Sequence, residues 1–322
     1  MKMNRLLNSL SSKYIVQNKK IIAVIGHSSS ETTEAALPMY EKAGLAVISA
    51  TATSTELNQP NFFRIPPSNE ILGSNLARYV EETMNLEKVA FFYDSESTYS
   101  RTIKKAFEDK FGKEKTENID LLEDIESEES KDWNQEIASL VSENFKAAVL
   151  FPSTKTVSRT ITIAQANAEL PEEQRLQFLG GNTLYTKNVF EEHGNIFEGS
   201  VLVVPWQQDE NAYTKKAQEK WKTEEDVGWR MAMGYDATQV VINALSSLPE
   251  GAKRKDVLKK FNEFKDSEYL GQDETSGEEL CFDRNGESNR FARIRKVVNG
   301  KLQNIEGEED KPAKSCPINK SQ

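Results

Sequence analysis

His27 is followed directly by Ser28, Ser29 and Ser30. An imidazole beside serine hydroxyls raises one kind of chemistry, a base that takes a serine proton so that the oxygen can attack a carbonyl. That chemistry needs an acid to orient the imidazole, and residues adjacent along a strand-to-helix turn rarely face each other. The G-x-S-x-G elbow of the α/β hydrolases is absent from the sequence. Recognition is the other chemistry. Serine hydroxyls and free backbone N–H groups at a helix start favour an anion such as a carboxylate, by roughly 0.3–1 kcal/mol from the helix dipole alone. The same serines also serve as plain helix caps, and the turn by itself leaves both roles open. His193, between Glu192 and Gly194, reads as a helix end. Nucleotide signatures fail: Gly26-His27-Ser28 lacks the remaining glycines of G-x-G-x-x-G, and Gly112-Lys113 lacks the upstream glycine of a phosphate loop.

Counts exclude further classes. The chain has 322 residues, with Lys+Arg 41 against Asp+Glu 51, a formal net charge of −10. Such a surface repels phosphate backbones and anionic lipid heads, so neither nucleic acid nor a membrane surface is an expected partner. No apolar run approaches the ~20 residues of a bilayer-spanning helix. His27, His193, Cys281 and Cys316 are the only histidines and cysteines, and none shows the close paired spacing of zinc ligands. No metal and no cofactor is expected. Cys281 and Cys316 pair in an oxidising compartment or stay as two thiols; the spacing decides neither. In residues 1–10, Leu6, Leu7 and Leu10 are interrupted by Asn and Ser. That is helical spacing rather than the apolar core of a secretory signal, so no signal peptide is visible.

The elements that must position these residues alternate. Apolar runs at residues 21–25, 45–48, 62–65, 89–93, 147–151, 178–179 and 201–204 read as strands. Amphipathic stretches follow most of them, among them residues 68–84, 133–141, 154–168, 229–248 and 255–264. A weak strand is expected at 119–122. Asn299-Gly300 between two β-rich runs predicts a closing hairpin with a type I′ turn. The alternation predicts a doubly wound α/β architecture, and the length suits two such layers. Ligands in open parallel sheets bind beyond the carboxyl ends of the strands. Those segments, residues 26–30, 49–53, 94–100, 152–154 and 180–183, are mostly small hydroxyl and amide residues. Such a lining suits binding, and catalysis is not expected.

Three blocks carry a resemblance. Val24-Ile25-Gly26-His27-Ser28-Ser29-Ser30, then Ala35-Ala36-Leu37-Pro38-Met39-Tyr40-Glu41-Lys42-Ala43-Gly44, then Ile48-Ser49-Ala50-Thr51-Ala52-Thr53, resemble the leucine/isoleucine/valine-binding protein family. These are the type I periplasmic solute-binding proteins of ABC transporters. Phe63-Arg64, the stretch around Asp94 and Tyr99, Gly234-Tyr235-Asp236-Ala237 and Phe282-Asp283-Arg284-Asn285-Gly286 follow in the right order, so the resemblance runs from about residue 21 to 305.

The resemblance implies two doubly wound α/β lobes joined by crossing strands, the periplasmic-binding-protein-like I fold, clamping a ligand between them. Lobe one would be residues 1–93 and 207–280, lobe two 94–206 and 281–308, with 309–322 a flexible tail. It implies that Ser30 or Ser29, Thr51 and Thr53 hold the ligand's carboxylate and ammonium from lobe one. Thr154, with Lys155 beside it, Asp94, Tyr99 and Asn182 would serve from lobe two. Two departures stand out. Asn182 occupies the place of an acidic residue that pairs with the ammonium, so either Asp94 replaces it or the ligand is not an ordinary α-amino acid. The family also begins with a strand, a helix and a second strand before the segment matching Ile21. Lobe one is therefore expected to lack its first βα unit and to be the less stable lobe, because each buried unpaired backbone group costs ~1–3 kcal/mol. The implied function is a solute-binding receptor of an ABC-type uptake system, taking an amino acid or related small polar molecule. Its partner would be an ABC permease and its location periplasmic or otherwise extracytoplasmic. The alternatives are the ligand-sensing module of a signalling protein and an α/β hydrolase-like enzyme using Ser30 and His27.

Overall fold

Most of the short apolar runs become parallel strands buried on both faces, as the pattern predicts, but the run at 21–25 does not, since only Val24 in it is buried and Ile25 is 44% exposed. The computed structural model describes residues 11–122, 131–208, 211–221, 227–265, 275, 280–310 and 316. The chain divides into two units, the first comprising Met1–Ser68, Trp206–Phe291 and Pro312–Gln322, the second Asn69–Pro205 and Ala292–Lys311.

The first unit is built on a three-stranded parallel sheet of β1 (Ala23–Ile25), β2 (Ala46–Ser49) and β3 (Phe62–Arg64), in that order. Its helices are α1 (residues 11–17), α2 (Ser30–Lys42), α8 (Ala212–Trp221), α9 (Trp229–Ser246) and α10 (Arg254–Glu263). Val24, Val47 and Phe62 turn to one face and pack with Leu37 and Tyr40 of α2. Phe63 turns to the other face, edge-on to Phe261 of α10 with ring centroids 5.0 Å apart. The free side of β3 is covered by the segment around Gly286. Arg64 N donates to Gly286 O at 2.9 Å, and Ser288 N donates to Arg64 O at 3.1 Å. The other side of β1 pairs with no strand among the described residues. Arg254 caps the end of α1, donating to the carbonyls of Ile15, Val16, Asn18 and Ile21 at 2.8–3.2 Å. One guanidinium thus satisfies carbonyls that a helix end leaves unpaired. Deeper in the unit, Arg290 pairs with Asp236 at 2.5 Å, both almost fully buried, and the Thr275 hydroxyl donates to the same carboxylate oxygen at 2.8 Å. A disulfide joins Cys281 to Cys316, with Cα atoms 5.8 Å apart.

The second unit holds a seven-stranded sheet in the order β10-β9-β8-β7-β6-β4-β5. Its strands are β4 (Val89–Tyr93), β5 (Thr116–Asp120), β6 (Ala147–Phe151), β7 (Gln177–Gly180), β8 (Val201–Val204), β9 (Arg293–Val298) and β10 (Lys301–Asn304). Strands β4 to β8 run parallel, and the β9–β10 hairpin joins antiparallel to β8. Asn299 and Gly300 both have positive φ, as a type I′ turn requires. Alternate residues face opposite ways. Phe92 and Leu150 pack with α5 (Trp133–Ser142) and α6 (Val157–Ala168). Phe91 and Val149 pack with α3 (Asn69–Arg78) and α4 (Thr98–Phe111). The remaining helix, α7 (Lys187–His193), follows β7.

The unit boundaries differ from those the sequence suggested. Residues 69–93 belong to the second unit, not the first, because β4 is hydrogen-bonded between β5 and β6. Residues 281–291 belong to the first, held by the disulfide, by Arg290–Asp236 and by the Gly286 contact with β3. Residue 310 is not loose either: Asp310 takes both Arg295 guanidinium nitrogens at 2.7 and 2.5 Å. Most of the expected tail beyond it lies outside the described residues, as does the reading of residues 1–10. Strand β5 begins three residues before the expected 119, since a sheet edge accepts polar Thr116 and Asn118.

A central strand opens only with its neighbours, whereas a three-stranded sheet with an unpaired edge opens locally. We expect hydrogen exchange on the whole chain to protect β4, β6 and β7 longest. Slower exchange in β1–β3 than in those strands would overturn the expectation that the first unit is the weaker.

Candidate functional site

In the first unit, the turns after β1 and β2 are knitted together by hydroxyls. Ser29 is the N-cap of α2, accepting from Thr32 N at 3.3 Å, while the Thr32 hydroxyl accepts from Ser29 N. The pair forms a capping box, one of the cap roles open to these serines. Ser30, 3% exposed, accepts from Ser54 N at 3.2 Å. Thr51 donates to His27 O at 3.2 Å. Ser49 organises the second turn, its hydroxyl accepting from Thr51 N at 3.2 Å and Ala52 N at 2.8 Å. Thr53 is fully buried, and its hydroxyl has no hydrogen-bond partner among the described residues. Arg64 holds the far end of the loop, donating to Ser54 O at 2.6 Å and to Glu287. Burial pushes the Glu287 carboxyl up despite the opposing pull of Arg64.

His27 does not pair with a serine. Its Nε2 lies 2.9 Å from the Tyr40 hydroxyl, and burial lowers its pKa from the ordinary 6.5. The folded state therefore keeps the ring neutral where the unfolded chain already takes a proton. Stability from this group is complete above pH ~6.5 and is lost as pH falls toward the depressed value, by at most about 1.4 kcal/mol per pH unit. We expect His27→Gln to remove that part of the slope in pH-dependent chemical denaturation. An unchanged slope would contradict the neutral imidazole.

In the second unit, β5 and β6 lie on opposite sides of β4, so the order reverses between β4 and β6. Ligands favour the carboxyl ends at such a switch point. Asp94, which follows β4, is 3% exposed. Its Oδ1 accepts from Glu96 N at 3.0 Å and Ser97 N at 3.1 Å, and Thr156 donates to its Oδ2 at 3.4 Å. Ser100 ties the two turns together, accepting from Asp94 N at 2.8 Å and donating to Phe151 O at 2.5 Å. Tyr99 donates to Asn182 Oδ1 at 3.0 Å, and Asn182 is 3% exposed. Gly181 makes this contact possible, because a Cβ there would collide with the Tyr99 hydroxyl and press on the Phe151 ring. Thr154 and Lys155 are exposed.

The structure thus gathers Ser29, Ser30, Thr51 and Thr53 at one end of the first sheet. It gathers Asp94, Tyr99 and Asn182 at the carboxyl ends of β4 and β7 in the second. Thr154 follows β6 but joins none of these bonds. Ser49, Ser100 and Ser153 fall within the strand-end segments marked from the sequence but were not singled out, and Ser54 and Thr156 lie just beyond them. Ser153 and Thr156 are spaced as a hydroxyl turn, with Ser153 N donating to Thr156 Oγ1 at 3.0 Å, and that spacing was a usable signal. Among the described residues no cluster of three His, Cys, Asp or Glu could hold a metal. No described helix is long and apolar enough to cross a membrane.

Each of the two α/β units thus carries hydroxyl and amide groups at its strand ends. Residues 13–300 match the periplasmic binding protein family, and the chain belongs to it. It is similar to the leucine-specific-binding protein of Salmonella typhimurium, 25% identical over 236 residues, which is 72% of this chain and 62% of that one. The chain therefore spans less than two thirds of the length of the curated relative it matches. Its fold is similar to the leucine binding protein LivK of Thermotoga maritima, with TM-score 0.77 and 17% identity over 93% of this chain and 83% of that one. A solute binding protein from Rhodopseudomonas palustris, solved with 3,4-dihydroxy benzoic acid, gives TM-score 0.76 and 16% identity over 96% and 84%.

Proposed function

We propose that the chain is the solute-binding component of an ABC-type uptake system and takes a small carboxylate. The observation that carries this reading is Thr53, a fully buried hydroxyl without a partner among the described residues, next to Ser54, whose N–H donates to Ser30 at the start of α2, in a member of the periplasmic binding protein family. A buried polar group left unpaired costs ~1–3 kcal/mol, which a bound ligand would recover. The relatives named above take leucine or an aromatic acid, and both carry a carboxylate. We take Ser29, Ser30, Thr51 and Thr53 as the ligand-binding candidates of the first unit, and Tyr99, Thr154 and Asn182 as those of the second. Asp94 braces its own turn.

Micromolar binding needs ~8 kcal/mol. Four to six charge-assisted hydrogen bonds at ~1.5–3 kcal/mol each supply it after the cost of ordering. A receptor of this kind signals through its ligand's differential affinity for two conformations, and a permease reads that difference. The Cys281–Cys316 disulfide fits an extracytoplasmic location, where such bonds persist. Calorimetry and thermal shift against amino acids, keto acids and benzoates test the reading. We expect binding of at least one carboxylate that Thr53→Val weakens about tenfold, a loss of ~1.4 kcal/mol. Silence from the whole panel would refute it.

A further inference from the structure

The chain is acidic overall, but one face of the first unit is not. Residues 13–20 and 253–260 hold eight cations and one acid, Asp256, in a protein whose formal net charge is −10. Arg254 brings the two segments together. Its bonds to the carbonyls of Ile15, Val16, Asn18 and Ile21 hold the start of α10 against the end of α1. Lys13, Lys19, Lys20, Lys253, Lys255 and Lys259 are all exposed along these segments. Lys260 is the one lysine of either segment with an ion pair among the described residues, to Glu263 at 3.1 Å. Asp256 turns its carboxylate to Lys253 N at 2.9 Å. Beside Lys13 stands Tyr14, 68% exposed.

This face breaks two local rules. Lys253, Arg254 and Lys255 gather at the start of α10, the positive end of the helix dipole, where acids are the ordinary occupants. Lys255 and Lys259 lie one turn apart on that helix, a like-charge pair that weakens it. Such breaches are expected where function demands them. The kind of charge narrows the partner. A guanidinium fork reads a single carboxylate or phosphate with two bonds, but the one arginine of these segments is spent on backbone carbonyls. What remains is lysine, a mobile point charge suited to a fluid anionic surface rather than to one fixed group. The exposed tyrosine, apolar in its ring and polar at its tip, suits the boundary between headgroups and acyl chains. We infer that this face rests on a membrane leaflet carrying anionic lipid headgroups. The net charge that argues against a membrane surface is not felt there, because at physiological ionic strength charges more than ~8 Å away are largely screened. Such contact is independent of the solute bound.

Sedimentation of the full chain with vesicles is the test. We expect binding to phosphatidylcholine vesicles containing about one third phosphatidylglycerol, none to pure phosphatidylcholine, and release as salt rises from about 0.1 M to about 0.5 M. A lysine near an anionic surface is worth about fivefold, so Lys19→Gln, Lys20→Gln, Lys255→Gln and Lys259→Gln together should lower binding by about a hundredfold or more. The same substitutions at Lys105, Lys110, Lys113 and Lys146, exposed on the second unit, should lower it by less than about threefold. Melting temperatures show whether each variant folds. Hydrogen exchange on the unmodified chain gives a second reading, with vesicles expected to protect residues 11–21 and 253–260, and it decides alone if the first variant does not fold. Failure to bind the anionic vesicles at low salt, equal losses in the two variants, or protection confined to other segments would overturn the proposal. Salt-sensitive self-association in place of vesicle binding would also overturn it, and would give the face to a second copy of the chain.

Discussion

Reduction of the Cys281–Cys316 disulfide, or Cys316→Ser, should destabilise the first unit by about 2–4 kcal/mol and leave the second nearly unchanged. The bridge spans a sequence separation of 35. Loop-closure entropy for a ring of that size is worth about 4 kcal/mol in the chain-entropy model, and measured values usually fall below it. The effect concentrates on the first unit because both cysteines belong to it. Tryptophan fluorescence reports on the right half, since Trp206, Trp221 and Trp229 all lie in the first unit and Trp133 alone in the second. Denaturant unfolding with and without reductant gives the difference directly. Coincident curves would show that the bridge holds nothing that folding needs.

The second large effect concerns Asp236. Removing its carboxylate leaves the Arg290 guanidinium, 4% exposed, without the counter-charge 2.5 Å away. An uncompensated buried charge costs about 3–5 kcal/mol, far more than the pair contributes against an apolar substitute. Asp236→Ala should therefore unfold the first unit at much lower denaturant. Adding Arg290→Met should restore a large part of the loss, because the stranded charge goes with it. A double variant as unstable as Asp236→Ala would mean that the acid acts through packing or through Thr275 rather than by neutralising Arg290.

The strand–helix alternation was legible because strands buried on both faces read as unbroken apolar runs, and 45–48, 89–93 and 147–151 are of that kind. The β9–β10 turn was legible for a different reason, since Asn299-Gly300 is chemistry that few other conformations use. Division into units was not. Residues 62–93 contain two similar strands, and only hydrogen-bonding partners show that β3 joins one sheet and β4 the other. Pairing of Cys281 with Cys316 was equally hidden, because spacing along the chain does not encode distance in space. At the candidate site, the hydroxyl-rich turns announced themselves by composition, but their hydrogen bonds did not. Asp94 looked like a free carboxylate until its two oxygens were traced to Glu96, Ser97 and Thr156.

The order in which the chain visits its two units carries a consequence for synthesis. Ser68 is made early, yet the first unit then still lacks residues 206–291 and 312–322, and the second is incomplete until residues 292–311 have been added. At ribosomal speeds of about 5–20 residues per second, strands β1–β3 wait roughly 10–45 s for the segment that covers the outer side of β3. A stop codon before residue 292 would take the β9–β10 hairpin from the second unit and, from the first, the cysteine that pairs with Cys281.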